Sequence, residues 1–258
     1  MSQTTSEHAS WSLKATNVPS ARSSPWLLLF GRSILFLAIQ ALFAFGFMIT
    51  GSANAWTDGA AWWPVVVTIA NVLCLTAMIS FYRVEGKSYW EIFRIRRENV
   101  KGDLLALLGT LVIAGPVGYL PNVLLANRLF GDPQTVLDLF VRPLPLWVAY
   151  ASILLFPITQ GLTEIPLYFA YVMPRLSERR FPNLLPVILP ALMLGLQHFA
   201  VPFLFEIRFI AWRALMYIPF AFLVGIIMHW RPRLLPYIAI IHVLMDLSFA
   251  TMLLSAAY

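Results

Sequence analysis

The chain has 258 residues, 60% hydrophobic and only 12% charged, with a mean hydropathy of +0.76. A soluble domain carries about 25% charged residues, so this composition excludes an ordinary water-soluble enzyme and predicts an all-α, polytopic transmembrane helical bundle. The net charge of +6 and pI of 9.7 read as the basic loops of a membrane protein, not as a nucleic-acid-binding surface. The one cysteine, Cys74, lies in an apolar run, which rules out an intramolecular disulfide and a multi-thiolate metal site. It reads as a small core or lipid-facing residue.

Residues 1–25 are polar and rich in Ser, Thr and Ala, and read as a disordered cytoplasmic tail carrying Lys14 and Arg22. Seven spans follow. The first covers about Trp26 to Ile49, with Arg32 near its start expected to snorkel toward the headgroups. It is longer than a signal-peptide apolar region of about 7 to 15 residues, so an uncleaved span is favoured over cleavage near Ala53-Asn54-Ala55. The second span runs from about Ala61 to Tyr82. Residues 83–103, with six Lys/Arg and four Asp/Glu, read as a basic surface loop or short interfacial helix. A topogenic role is the simpler expectation for it, and a lipid-headgroup role the alternative.

The third span, about Leu104 to Leu125, is interrupted by Gly115-Pro116 and Pro121, where a kink is expected. A polar connection from 126 to 145 leads to a long fourth span, about Leu146 to Met173, closed by the basic run Arg175 to Arg180. The fifth covers about Leu184 to Leu204, the sixth about Phe209 to Trp230 and the seventh Leu234 to Tyr258. Glu206, Arg208 and Arg213 read as an interfacial cluster, and His229 beside Trp230 as an interfacial anchor. Residues 26–145 thus form an N-terminal set of spans and 146–258 a C-terminal core.

The loops after spans two, four and six hold six, three and two Lys/Arg, against zero, two and one after spans one, three and five. The positive-inside rule then predicts an inner, cytoplasmic membrane protein with a cytoplasmic N-terminus.

Four ionisable residues interrupt the apolar runs of the core: Glu164, His198, His242 and Asp246. At 1.5 Å per residue they fall within about 9 Å of one another in depth, on three helices. His242 and Asp246 are i and i+4 on one face, and Gln160, Glu164 and Tyr168 form one stripe. Thr163 points about 100° away from Glu164. Pro166 removes an amide and frees the carbonyl of Leu162, opening the helix beside Glu164. Buried groups of this kind are expensive and mark function. A carboxyl here suits general acid-base work, the histidines water activation or oxyanion stabilisation. Glu164, His198 and His242 holding a zinc ion is the alternative to a site without cofactors. An interhelical hydrogen-bond network that merely ties the bundle is the bland reading.

At these residues the chain resembles the CPBP family, the CAAX-protease and bacteriocin-processing (Abi) membrane proteins. The stretch TEIPLY, Thr163 to Tyr168, stands where the family has Glu-Glu-x-x-x-Arg. LGLQH, Leu194 to His198, stands where it has Phe-x-x-x-His, with Leu194 replacing the phenylalanine, and HVLMD, His242 to Asp246, matches His-x-x-x-Asn or Asp. The resemblance spans about residues 145–250 and takes in none of the first three spans. It implies an intramembrane endopeptidase, with His198 helping to activate water and His242 with Asp246 binding the oxyanion. A peptide or lipidated-protein substrate would arrive from the lipid bilayer. Thr163 replaces the family's water-activating glutamate and Tyr168 its arginine, so Glu164 is expected to lack a buried cation. It either serves as the base or is a neutral structural donor. A catalytically inactive relative that binds peptides or acts as an immunity-type protein, and a proton-coupled transporter, are the competing functions.

Overall fold

The computed structural model describes residues 24–179, 181–182 and 184–257. The tail reading for residues 1–25 therefore falls almost wholly outside the described residues, as do Arg180 and Tyr258. Among the described residues the fold is helical and contains no strand. Six helices are long and apolar enough to cross a membrane, and a seventh, Leu185–Ala200, is apolar but shorter. The chain is a multi-pass membrane protein. Its outer surface carries large apolar side chains such as Leu42, Leu105, Val112 and Trp147, which lipid tolerates and water does not.

Helix α1 (Pro25–Ile49) begins with proline at its first turn, where the missing amide costs no hydrogen bond. The short α2 (Ala55–Ala61) folds back on it, with Gly59 against the backbone of Ala44, where an added Cβ would come within 2.7 Å of the Ala44 amide nitrogen. Helix α3 (Trp63–Val84) follows. The basic segment then forms two 3-10 turns, Tyr89–Phe93 and Arg97–Asn99. Helix α4 (Val100–Phe130) keeps both Pro116 and Pro121 inside one helix. It extends into the stretch expected to be a polar connection, and α5 (Pro133–Phe140), capped by the Asp132 side chain, occupies most of the remainder. The apolar periodicity ends at Leu125, but the helix continues until Gly131 supplies the left-handed residue that stops it.

Helix α6 (Leu146–Ile165) passes into a π-helical stretch, Pro166–Val172, and then α7 (Met173–Glu178). The widened turn starts at Pro166, as its missing amide predicts. The freed carbonyl of Leu162 accepts the hydroxyl of Tyr89, so the basic segment repairs the break. Helix α8 (Leu185–Leu196) tightens into a 3-10 turn at Gln197–Ala200. Helices α9 (Ile207–Leu215) and α10 (Ile218–Trp230) together make the next span, and α11 (Leu235–Ala257) the last.

Helix α11 packs on α6 and α10 on α8. The α6–α11 contact closes over Gly161, where a Cβ would collide with the Val243 side chain and approach the Ala239 carbonyl oxygen to 3.0 Å. This approach brings Glu164 and His242 face to face. Two large apolar clusters fill the bundle. One gathers Leu29, Cys74, Met78, Tyr82 and the π-helical segment; the other gathers Phe36, Trp63, Phe156, Phe209 and Trp212. Cys74 is a core residue. Between the clusters lies a polar layer, because α1 carries Arg32 between Leu29 and Phe36 and α6 carries Gln160 and Glu164 after Phe156.

Candidate functional site

Glu164 is the hub of the polar layer. Its Oε1 accepts three hydrogen bonds: Arg32 Nη1 at 3.1 Å, Gln160 Nε2 at 2.8 Å and Gln197 Nε2 at 2.7 Å. Its Oε2 lies 3.3 Å from His242 Nε2. Asp246 Oδ2 stands 3.3 Å from that same nitrogen. Asp246 Oδ2 and the other ring nitrogen, His242 Nδ1, are buried without a hydrogen-bond partner among the described residues, so the His242–Asp246 contact is a close approach without hydrogen-bond alignment. Glu164, His242 and Asp246 are thus brought together across α6 and α11, as the i, i+4 spacing and the shared depth predict.

The buried cation that the sequence denied to Glu164 is Arg32. It does not snorkel: its exposure is 0%. Its Nη1 also reaches Gln197 Oε1 at 3.0 Å, and Nη2 donates to Asn71 Oδ1 and Gln160 Oε1, each at 2.8 Å. An arginine seven residues inside a span can run its stem to the headgroups or turn inward, and inward it finds a carboxylate and three amide oxygens. Asn71 in turn donates to Gln160 Oε1 at 2.8 Å. Tyr168 donates to Gln197 Oε1 at 2.9 Å, so it supports Glu164 through Gln197. Tyr168 thus reaches Glu164 only indirectly, and Arg32 from α1 is the buried cation beside the carboxylate.

His198 sits on the 3-10 turn after α8. Its Nδ1 lies 3.1 Å from the carbonyl oxygen of Gly195 and must donate, because a carbonyl only accepts. Neutral His198 therefore keeps Nε2 as its accepting nitrogen. The ring packs on Tyr217 with centroids 4.4 Å apart. Arg213 holds this turn, donating Nε to the His198 carbonyl at 3.0 Å and Nη2 to the Val201 carbonyl. Arg213 is 5% exposed, so it does not join the interfacial cluster expected for it; that cluster reduces to Glu206 and Arg208, paired at 3.0 Å. Its long side chain turns inward to two backbone carbonyls of the turn, that of Val201 and that of His198, which also accepts the Val201 amide at 3.4 Å.

A cavity of about 390 Å³ opens onto Glu164, His198, His242, Asp246, Arg213 and Tyr217. Its apolar wall includes Trp63, Phe156 and Phe249, and its rim reaches the lipid-facing Tyr119 and Met245. Glu164 turns one oxygen to the arginine network and leaves the other at the histidine and cavity side. Thr163 does not line the cavity; it is buried, and its hydroxyl lies 3.4 Å from the Asn71 carbonyl oxygen on α3. Among the described residues no three His, Cys, Asp or Glu side chains are grouped to hold a metal ion.

Arg32 and Arg213 were expected at the membrane interface, and Asn71 and Gln197 were given no role by the sequence. Three of them had a usable signal: Arg32, Asn71 and Gln197 each put a polar side chain inside an apolar run, where lone polar groups are costly. No family model matches the chain, and the searches of curated proteins and of solved structures found no match either.

Proposed function

We propose that this protein is an intramembrane endopeptidase of the CPBP type. It hydrolyses a peptide bond in a peptide or lipidated-protein substrate delivered through the bilayer. The observation that carries the reading is Glu164. One of its oxygens is saturated by Arg32, Gln160 and Gln197, while the other faces His242 beside a cavity shared with His198 and Asp246.

In this mechanism Oε2 of Glu164 takes a proton from a water molecule, aided by the accepting nitrogen of His198. The water oxygen attacks the scissile carbonyl carbon. His242, with Asp246 beside it, stabilises the oxyanion that forms. Glu164 then returns the proton to the leaving amine as the C–N bond breaks. Water activation is assigned to side chains, without a cofactor. The orientation that goes with this reading has the N-terminus in the cytoplasm of an inner membrane. It is supported by the basic residues at the end that holds residues 83–103, Arg175 and Arg233.

A second reading rests on the same saturated oxygen. Three donors on Oε1 also suit a structural ion pair at the base of a peptide-binding cavity, as in an inactive relative. Quenched-fluorescent peptides, prenylated and unmodified, offered to the purified protein in nanodiscs separate the two. Cleavage that falls by a factor of about 100 or more in Glu164→Gln and in His198→Ala supports the peptidase. Peptide binding without cleavage supports the binding protein, and cleavage untouched by Glu164→Gln removes Glu164 from the chemistry.

A further inference from the structure

We infer that residues 83–103 form a preformed docking surface for the headgroups of anionic phospholipids. The segment lies where the apolar run of α3 has ended at Val84 and that of α4 begins at Leu104, the level of the headgroups. Arg83, Lys87, Arg94, Arg96, Arg97 and Lys101 are all exposed. Of the four acidic residues, two are drawn off by cations from other elements. Arg175 holds Glu85 at 2.6 Å, with Lys87 of the segment a looser second partner at 3.6 Å, and Arg233 holds Asp103 at 2.5 Å. The charge presented outward is therefore more basic than the composition of the segment implies.

A purely topogenic loop needs only charge, with no fixed shape. This segment is built. Tyr89 is fully buried, its hydroxyl bonds the Leu162 carbonyl, and its ring packs edge-on against Tyr82 with centroids 5.7 Å apart. Ile92 and Phe93 pack on the core. Trp90 and Ile95, at 55% and 43% exposure, point outward among the arginines. An exposed tryptophan with exposed arginines on an anchored backbone matches the two parts of an interfacial lipid: ester region and phosphate. Arginine suits phosphate because its fork can bond two oxygens at once. The backbone is already ordered, so binding does not have to order the loop. The surface is independent of the activity proposed above.

Purified full-length protein in neutral detergent, titrated with short-chain phosphatidylglycerol, phosphatidylcholine or inorganic phosphate, tests this through its thermal midpoint. Phosphatidylglycerol should raise the midpoint, and added salt should weaken the effect. Arg94→Gln with Arg97→Gln and Lys101→Gln should weaken the apparent affinity about fivefold per charge, roughly a hundredfold together. Arg97→Gln alone gives a smaller loss should the triple variant fail to fold. Arg128→Gln with Arg208→Gln, at the opposite end, should leave the affinity unchanged. An equal response to phosphatidylcholine overturns the inference, as does an unaltered phosphatidylglycerol affinity in these loop variants. A response to inorganic phosphate as large as to the lipid also overturns it.

Discussion

Arg32 Nη1 stands 3.1 Å from Glu164 Oε1, with 132 residues of chain between them and both side chains buried. The pair ties the first span to the fourth and gives Glu164 its charge partner. Removing one member leaves an uncompensated buried ion, which costs about 3–5 kcal/mol. Arg32→Ala should therefore lower stability by about that amount. Arg32→Lys should recover little, because a single ammonium cannot serve Glu164, Gln197, Asn71 and Gln160 together. Thermal unfolding in detergent measures both; an Arg32→Ala protein as stable as the parent would show that the pair adds nothing.

The seam between α6 and α11 makes a second prediction. Gly161→Ala places a methyl against the Val243 side chain and the Ala239 carbonyl. Overpacking of this kind costs about 1–3 kcal/mol. Val243→Ala should relieve most of it, so the double variant should be more stable than the sum of the two singles. Because the seam holds Glu164 against His242, Gly161→Ala should also lower any peptide cleavage. Additive effects in the double variant would place the strain elsewhere.

Tyr89 and Pro166 form a coupled pair through one carbonyl. Tyr89→Phe leaves the Leu162 oxygen without its hydroxyl donor, at a cost of about 1–3 kcal/mol. Pro166→Ala restores an amide four residues after Leu162, so the helix can satisfy that oxygen itself. In the Pro166→Ala background Tyr89→Phe should then cost much less. An equal loss in both backgrounds, read from unfolding midpoints, would uncouple the two residues.

Glu206 supplies a pH dependence outside the spans. Its partial burial works to raise its pKa, but hydrogen bonds from the Arg208 side chain and the Phe209 amide outweigh this and hold it below the usual carboxylate range. A carboxyl with a depressed folded pKa stabilises the fold above its unfolded pKa of about 4.3, and loses that contribution as pH falls through the lower folded value. As the N-cap of α9 it is worth about 1 kcal/mol near neutrality. Glu206→Gln should be less stable than the parent at pH 7, with the gap closing below about pH 4. A gap that persists at low pH would assign the effect to packing.

Much of this protein was legible in its sequence, because the determining physics is local. Apolar runs name the spans, Pro166 names the widened turn, and the spacing of His242 and Asp246 places them on one face. The costly residues Glu164, His198, His242 and Asp246 announce the cavity that they line. Boundaries were less legible: α4 runs on to Phe130 because Gly131, not the loss of apolar periodicity, ends it.

Which partner each charge takes was decided only by the tertiary structure. Arg32 and Arg213 both sit near the ends of their predicted spans, where a long cationic side chain can reach the headgroups or turn inward. Local sequence is the same for either choice. The inward choice depends on what the neighbouring helices present there. For Arg32 that is a carboxylate and amides from α3, α6 and the turn after α8; for Arg213 it is the carbonyls of His198 and Val201. A buried charge persists only where packing has already gathered its counter-groups, and that gathering is a property of the assembled bundle.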